Sequence, residues 1–288
     1  MAPPVTTNDI PTLIRAGRLQ DADRLIADQR GRAETHGAAG DRRDAALWST
    51  MQALRDGRIE DARAGTLDVR NLSQEAGDAR AADRFWGQQF WVVLDWGNDA
   101  ERYELLDQCR ERAYGHDDVP WRSALTLLCS RLGRTDEAVR EFDATTARLD
   151  KGGQPATDAD RVGIVTNLAE AVAVIGDPVR AGAIQRRLNS VAEPLVFDSH
   201  MCVVRGAVAR HQALVAATLQ QWPDADRAFQ AAVDNHRSIG ALPLVARTLY
   251  EWGLTLTSRG DPRAWDHLTE SSSLARGLHM TGPIAGMS

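Results

Sequence analysis

The chain has 288 residues, 43% of them hydrophobic and 26% charged, with a formal net charge of −6. Those proportions belong to a folded globular protein, and basic residues scattered among acids offer no one-signed surface for nucleic acid. No apolar run nears the roughly 18 residues that span a bilayer, which excludes a membrane as partner.

One phrase recurs along the chain. AGRLQDADRL opens at Ala16 and DGRIEDARAG at Asp56; WGNDAERYEL at Trp96 is a looser copy. LGRTDEAVRE follows at Leu132, IGDPVRAGAI at Ile175, LQQWPDADRA at Leu219 without its glycine, and RGDPRAWDHL at Arg259. The turn positions are Gly17, Gly57, Gly97, Gly133, Gly176, Gln220 and Gly260, spaced 40, 40, 36, 43, 44 and 40 residues apart. A glycine in the left-handed conformation closes one helix, and Asp or Pro opens the next. Five residues past the turn, Ala22, Ala62, Ala138, Ala181 and Ala225 let two antiparallel helices approach closely. Arg102 and Trp265 break that rule, which predicts splayed third and seventh pairs. Apolar residues around each turn recur at three-to-four spacing, without strand-like alternation. Such hairpins bury their apolar faces only by stacking. The expected fold is all-α, a solenoid of about seven helical hairpins forming a single domain over residues 1–288, with breaks at Asp150–Asp160, Ala192–His200 and Ile239–Pro243.

The opening MAPPVTTNDIPTL lacks the regions of a secretory signal, so the cytoplasm is the expected location. It also reads as a native start, against the chain being a fragment of a larger protein. Cys109, Cys129 and Cys202 are odd in number and unpaired in spacing, indicating neither disulfides nor a zinc site. No cofactor or metal is expected.

Two stretches, DVPWRSALTLLCSRLGRTDEAVREFD from Asp118 and AVARHQALVAATLQQWPDADRAFQAAVDNHRSIGALPLVARTLYEWGLTLTSRGD from Ala207, carry a family resemblance. They resemble the tetratricopeptide-like (TPR-like) repeats of bacterial signalling ATPases, LuxR-type regulators and nucleotidyl cyclases. The likeness runs from about Ala39 to Met280 and is most specific in the final third. It implies a right-handed superhelix that senses ligands or partners, with the first helix of each hairpin lining a concave groove. Arg247 and Tyr250 match the family pattern as structural residues. The phosphate-binding GxxxxGK loop is absent, as are the DNA-binding and cyclase domains, so the resemblance implies binding, not nucleotide hydrolysis or transcription. Phe197, Asp198, Ser199, His200 and Met201 stand where the family has small residues, which suggests a reshaped groove.

Nine residues before each turn stand Asn8, Trp48, Gln88, Ala124, Asn167, His211 and Glu251. Six of the seven can hydrogen-bond within largely apolar helices, so this column faces either a solvated groove or a ligand. Six residues before the turn, Glu170 interrupts the apolar NLAEAVAVIG. Its carboxylate either reaches the groove or is buried with a partner; desolvation would raise its pKa toward general acid–base use. His200 and His211 share a side if one helix spans both, a poor spacing for a metal pair. His36, His116, His236, His267 and His279 read as surface residues.

Three tryptophans fall within DRFWGQQFWVVLDWGN. Trp86 and Trp96 lie on faces expected to pack, whereas Trp91 is turned about 140° from Trp86 and shares its side with Arg84, Gln88 and Asp95. The leading expectation is a non-catalytic scaffold or ligand-sensing protein whose groove holds a small molecule or protein partner, self-association being left open. Its binding set is Trp48, Arg84, Gln88, Trp91, Asn167, Glu170, His211 and Glu251. The alternative is a repeat scaffold recruited as an enzyme on a small organic molecule, with Glu170, His211, Glu251 and His200 as acid–base candidates.

Overall fold

The computed structural model describes residues 9–115, 118–151, 158–198 and 201–281. These residues are predominantly helical. In chain order come α1 (Ile10–Arg15), α2 (Leu19–His36), α3 (Ala39–Asp56), α4 (Ile59–Glu75), α5 (Ala81–Trp96), α6 (Asp99–Gly115) and α7 (Val119–Arg131). Then follow α8 (Thr135–Asp150), α9 (Asp158–Ile175), α10 (Pro178–Leu188), strands β1 (Leu195–Asp198) and β2 (Val203–Ala207), α11 (Val208–Thr218), α12 (Trp222–Ser238), α13 (Leu242–Ser258) and α14 (Ala264–Gly277).

Each of the seven turn positions lies between two helices. Gly17, Gly57, Gly133, Gly176 and Gly260 have φ between 70° and 77°, and Gln220 adopts φ 57° without being glycine. At Gly17 the closing bonds run from its own N–H to Ile14 and from the Arg18 N–H to Leu13. The same pair recurs at Gly57, Gly133, Gln220 and Gly260. Gly97 departs from the expectation: its φ is −76° and ψ 152°. Glycine is needed there for space, since a Cβ would sit 2.5 Å from the Val93 carbonyl oxygen. The arginine after several turns pairs with the acid three residues on, as in Arg18–Asp21, Arg58–Asp61 and Arg134–Glu137. Such exposed pairs contribute little beyond local order.

Ala22, Ala62, Ala138, Ala181 and Ala225 are all buried, as their place between paired helices requires. Around Arg102, α5 and α6 make only sparse contact, whereas α13 and α14 pack along their length. The expected splay is therefore wrong for the last pair. Trp265 points to solvent, and Gly253 on α13 makes the room instead: a Cβ there would lie 2.5 Å from Leu268 Cδ2.

The break before α11 holds the largest surprise. β1 and β2 form an antiparallel hairpin with a bulge at Val196/Phe197, and every residue of both strands is buried. Strands covered on both faces read as continuous apolar runs, so LVF and VVRGA showed no alternation. A two-stranded hairpin is marginal alone; this one packs against α1, α3, α9, α11 and α12. The far end of the chain also folds back. Trp96 Nε1 donates to the Leu278 carbonyl at 2.9 Å, the Thr281 N–H to Asp95 at 3.0 Å, and α13 packs on α3. One apolar cluster consequently runs from Ala53 on α3 through Met201 and Val203 to Met280.

Candidate functional site

Six elements deliver charged side chains to one buried centre. On α9, Asn167 and Glu170 share a face at i, i+3; on α13, Arg247 and Glu251 do so at i, i+4. α11 contributes Arg210 and His211, β2 Arg205, α7 Arg131 and α5 Asp95. Arg210 is fully buried and bridges both glutamates. Its Nε and Nη2 donate to Glu251 at 2.8 and 2.6 Å, and its Nη1 and Nη2 to Glu170 at 3.1 Å each. Arg205 adds Nη2 to Glu170 Oε1 at 2.6 Å, while its Nη1 donates to the Gly163 carbonyl and Thr166 Oγ1. Arg131 reaches Glu170 and Glu251 with Nη2 alone, at 3.2 and 3.4 Å. Arg247 is paired with Asp95.

This arrangement reverses the expected electrostatics of Glu170. Burial pushes its pKa up, but the Arg210 charge, the His211 contact and the Arg205 charge outweigh that and hold it well below the usual carboxylate range. His211 is pushed down to about 4, burial being the main cause and the Glu170 contact opposing it. Its ring nitrogens lie 3.3 Å from Glu170 Oε1 and 3.3 Å from the Ala207 carbonyl oxygen. A neutral imidazole can donate to only one of them.

The structure brings together Glu170, His211 and Glu251 from the expected binding set, with Trp91 at their edge. Trp91 is not an open platform: it is buried in the same apolar cluster as Trp96, with Trp86 packed against that cluster. The Arg205 guanidinium covers its ring at 4.4 Å from the centroid, with Arg247 at 5.8 Å, leaving it 6% exposed. Trp96 is buried and Trp86 half-buried beneath Arg112. Trp48 stacks on Phe197 of the β-hairpin. Gln88 is buried and donates to the Leu47 and Cys202 carbonyl oxygens, and Asn167 to Ser123 Oγ at 2.9 Å. Arg84 lies apart from the centre, paired with Asp78. The β-hairpin thus occupies the space that Trp48, Gln88 and Trp91 were expected to offer a ligand.

The histidines need further correction. His200, like His116 and Asn8, lies outside the described residues, and α11 begins only at Val208, so no helix joins His200 to His211. His236 is buried rather than superficial. Its Nε2 accepts the Ala207 N–H at 2.8 Å, and a Cβ on Gly206 would lie 2.4 Å from that nitrogen. Burial, then the Arg210 charge, push its pKa down to about 3.

One cleft beside this centre stays open. A cleft of about 480 Å³ lies among α7, α9, α11 and α13, reaching Trp222 at the start of α12. Its floor is Arg131, Glu170 and Glu251; its walls include Val174, Leu214, Leu254 and Tyr250. Val174 and Leu254 are 49% and 44% exposed. Sequence reasoning missed Arg131, Arg205 and Arg210. The available signal was an arginine inside the apolar runs VVRGA and VARHQALVAAT.

Among the described residues no group of three or more His, Cys, Asp and Glu is placed to hold a metal, and no helix is long and apolar enough to cross a membrane. The three thiols are buried, and burial pushes Cys129 and Cys202 up to about 12, which keeps them unreactive. No known family model matches this chain, and no curated protein matches it.

Proposed function

We propose that this chain is a non-catalytic, ligand-binding TPR-like protein: a right-handed solenoid of seven helical hairpins, working in the cytoplasm, that holds a small molecule in the cleft among α7, α9, α11 and α13. The carrying observation is that this cleft is an open stretch of inner face beside the length filled by the β-hairpin. Its volume of about 480 Å³ suits a small organic molecule. Its exposed Val174 and Leu254 and its aromatic Trp222 and Tyr250 supply contact area, and the ion network forms the floor. A peptide laid along the whole groove is disfavoured, because the β-hairpin stands in its path.

The acid–base enzyme is less well supported. Glu170 is held ionised by guanidinium groups, which makes it a weak base and no proton donor near neutral pH. His211 is neutral and buried, with its one N–H available to only one of the two acceptors beside it.

The test is a thermal-shift screen of small organic molecules on the full chain and on Leu254→Arg, which places a cation across the cleft. Compounds that stabilise the native chain and lose that effect in Leu254→Arg are expected. Compounds that stabilise both equally, or none at millimolar concentration, would refute the reading.

A further inference from the structure

The hydrogen-bonding groups at the cleft floor are unequally used. Both Glu170 oxygens are engaged, by Arg205, Arg210, His211 and Arg131, and both Glu251 oxygens accept from Arg210. Arg131 commits only Nη2, in the two longest arginine–carboxylate hydrogen bonds of the network. Its Nη1 has no hydrogen-bond partner among the described residues, and its side chain is 19% exposed at the cleft.

The charges of the network balance. Arg131, Arg205 and Arg210 face two carboxylates, Glu170 and Glu251, while Arg247 is matched by Asp95. Asp198 also acts on Arg205 but takes no part in the cleft wall. The Thr218, Thr255, Ser258 and Ser130 hydroxyls at the cleft each donate to a backbone carbonyl. They offer a ligand only acceptor oxygens. Arg131 is therefore the charged group with donors to spare, and above it the wall is apolar at Val174, Leu214 and Leu254.

We infer that the cleft takes an amphipathic organic carboxylate, its head on Arg131 Nη1 and its hydrocarbon body along Val174, Leu214 and Leu254. This rests on the cleft being the binding site, and it narrows the ligand to one class. A guanidinium with a free N–H group beside an apolar wall is a natural carboxylate partner. An ammonium head would be repelled by the Arg131 charge, and a neutral amide would offer that guanidinium no opposite charge.

The test uses the full chain with three matched probes, octanoate, octanamide and octylamine, followed by calorimetry and thermal shift. Octanoate is expected to bind at least about tenfold more tightly than the amide, with the amine weakest. Arg131→Gln should remove that preference, and Arg131→Lys should keep part of it. If amide or amine binds as well as the acid, or Arg131→Gln leaves octanoate affinity intact, the carboxylate assignment fails while the cleft remains a binding site. If none of the three binds, this inference fails, and the broader reading then stands or falls on the wider screen. Should Arg131→Gln not fold, the acid-to-amide ratio of the native chain still decides the matter.

Discussion

Replacing Glu170 by alanine tests the buried network most directly. The carboxylate is fully enclosed and neutralises Arg205 and Arg210, whose side chains are themselves 1% and 0% exposed. Removing one partner of a buried pair costs about 3–5 kcal/mol, because the remaining charge is left unmatched. Arg210 would keep its forked pairing with Glu251, and Arg205 its bonds to Gly163 and Thr166, so the loss stays within that range rather than doubling it. At roughly 2–4 °C per kcal/mol for chains of this order, Tm should fall by about 6–20 °C. Glu170→Gln should fare little better, since its amide would aim N–H groups at guanidinium groups. Urea unfolding of Glu170→Met, Arg205→Met and the double variant would complete a cycle. The double variant should be less destabilised than the sum, by about 0.5–3 kcal/mol. A loss below about 1 kcal/mol for Glu170→Ala, or strict additivity, would mean that water screens these charges and that the network does not hold the core.

Acid should destabilise the protein in two stages. His236 and His211 have folded pKa values near 3 and 4 against an ordinary 6.5, so the unfolded chain takes up protons first, and the stability they confer is complete above about 6.5 and drains as pH falls. Glu170, lowered from 4.5, adds a further loss below that pH; denaturation against pH should show both stages, and His236→Gln should flatten the first. Gly133→Ala should cost about 1 kcal/mol by its left-handed backbone alone. Gly57→Ala should cost about 2–4 kcal/mol, because its Cβ also lands 2.6 Å from Leu278 and 3.1 Å from Pro243; equal losses in urea melts would contradict the packing described. Trp91→Ala should cost about 3–5 kcal/mol as a core truncation, and a stable variant by the same melt would return Trp91 to an exposed role.

The turn phrase made the helical pairs legible because a glycine with positive φ and a small residue five positions later are local requirements. Gln220 shows the limit of that rule, since its neighbours impose the same turn without glycine. Helical phase sets Trp91 apart from Trp86 and Trp96, yet all three pack in or against one apolar cluster, because phase cannot say what covers a face. What covers Trp91 is Arg205 of β2, more than a hundred positions away in sequence.

Local chemistry, then, determined where helices start and stop and which side chains point inward, for those depend on neighbours within one or two turns. Tertiary structure alone decided that Glu170 is ionised, that His236 is buried and that Trp91 is covered. A buried charge takes its state from whatever the fold sets beside it, and Arg205, Arg210 and Arg131 reach Glu170 from three separate elements.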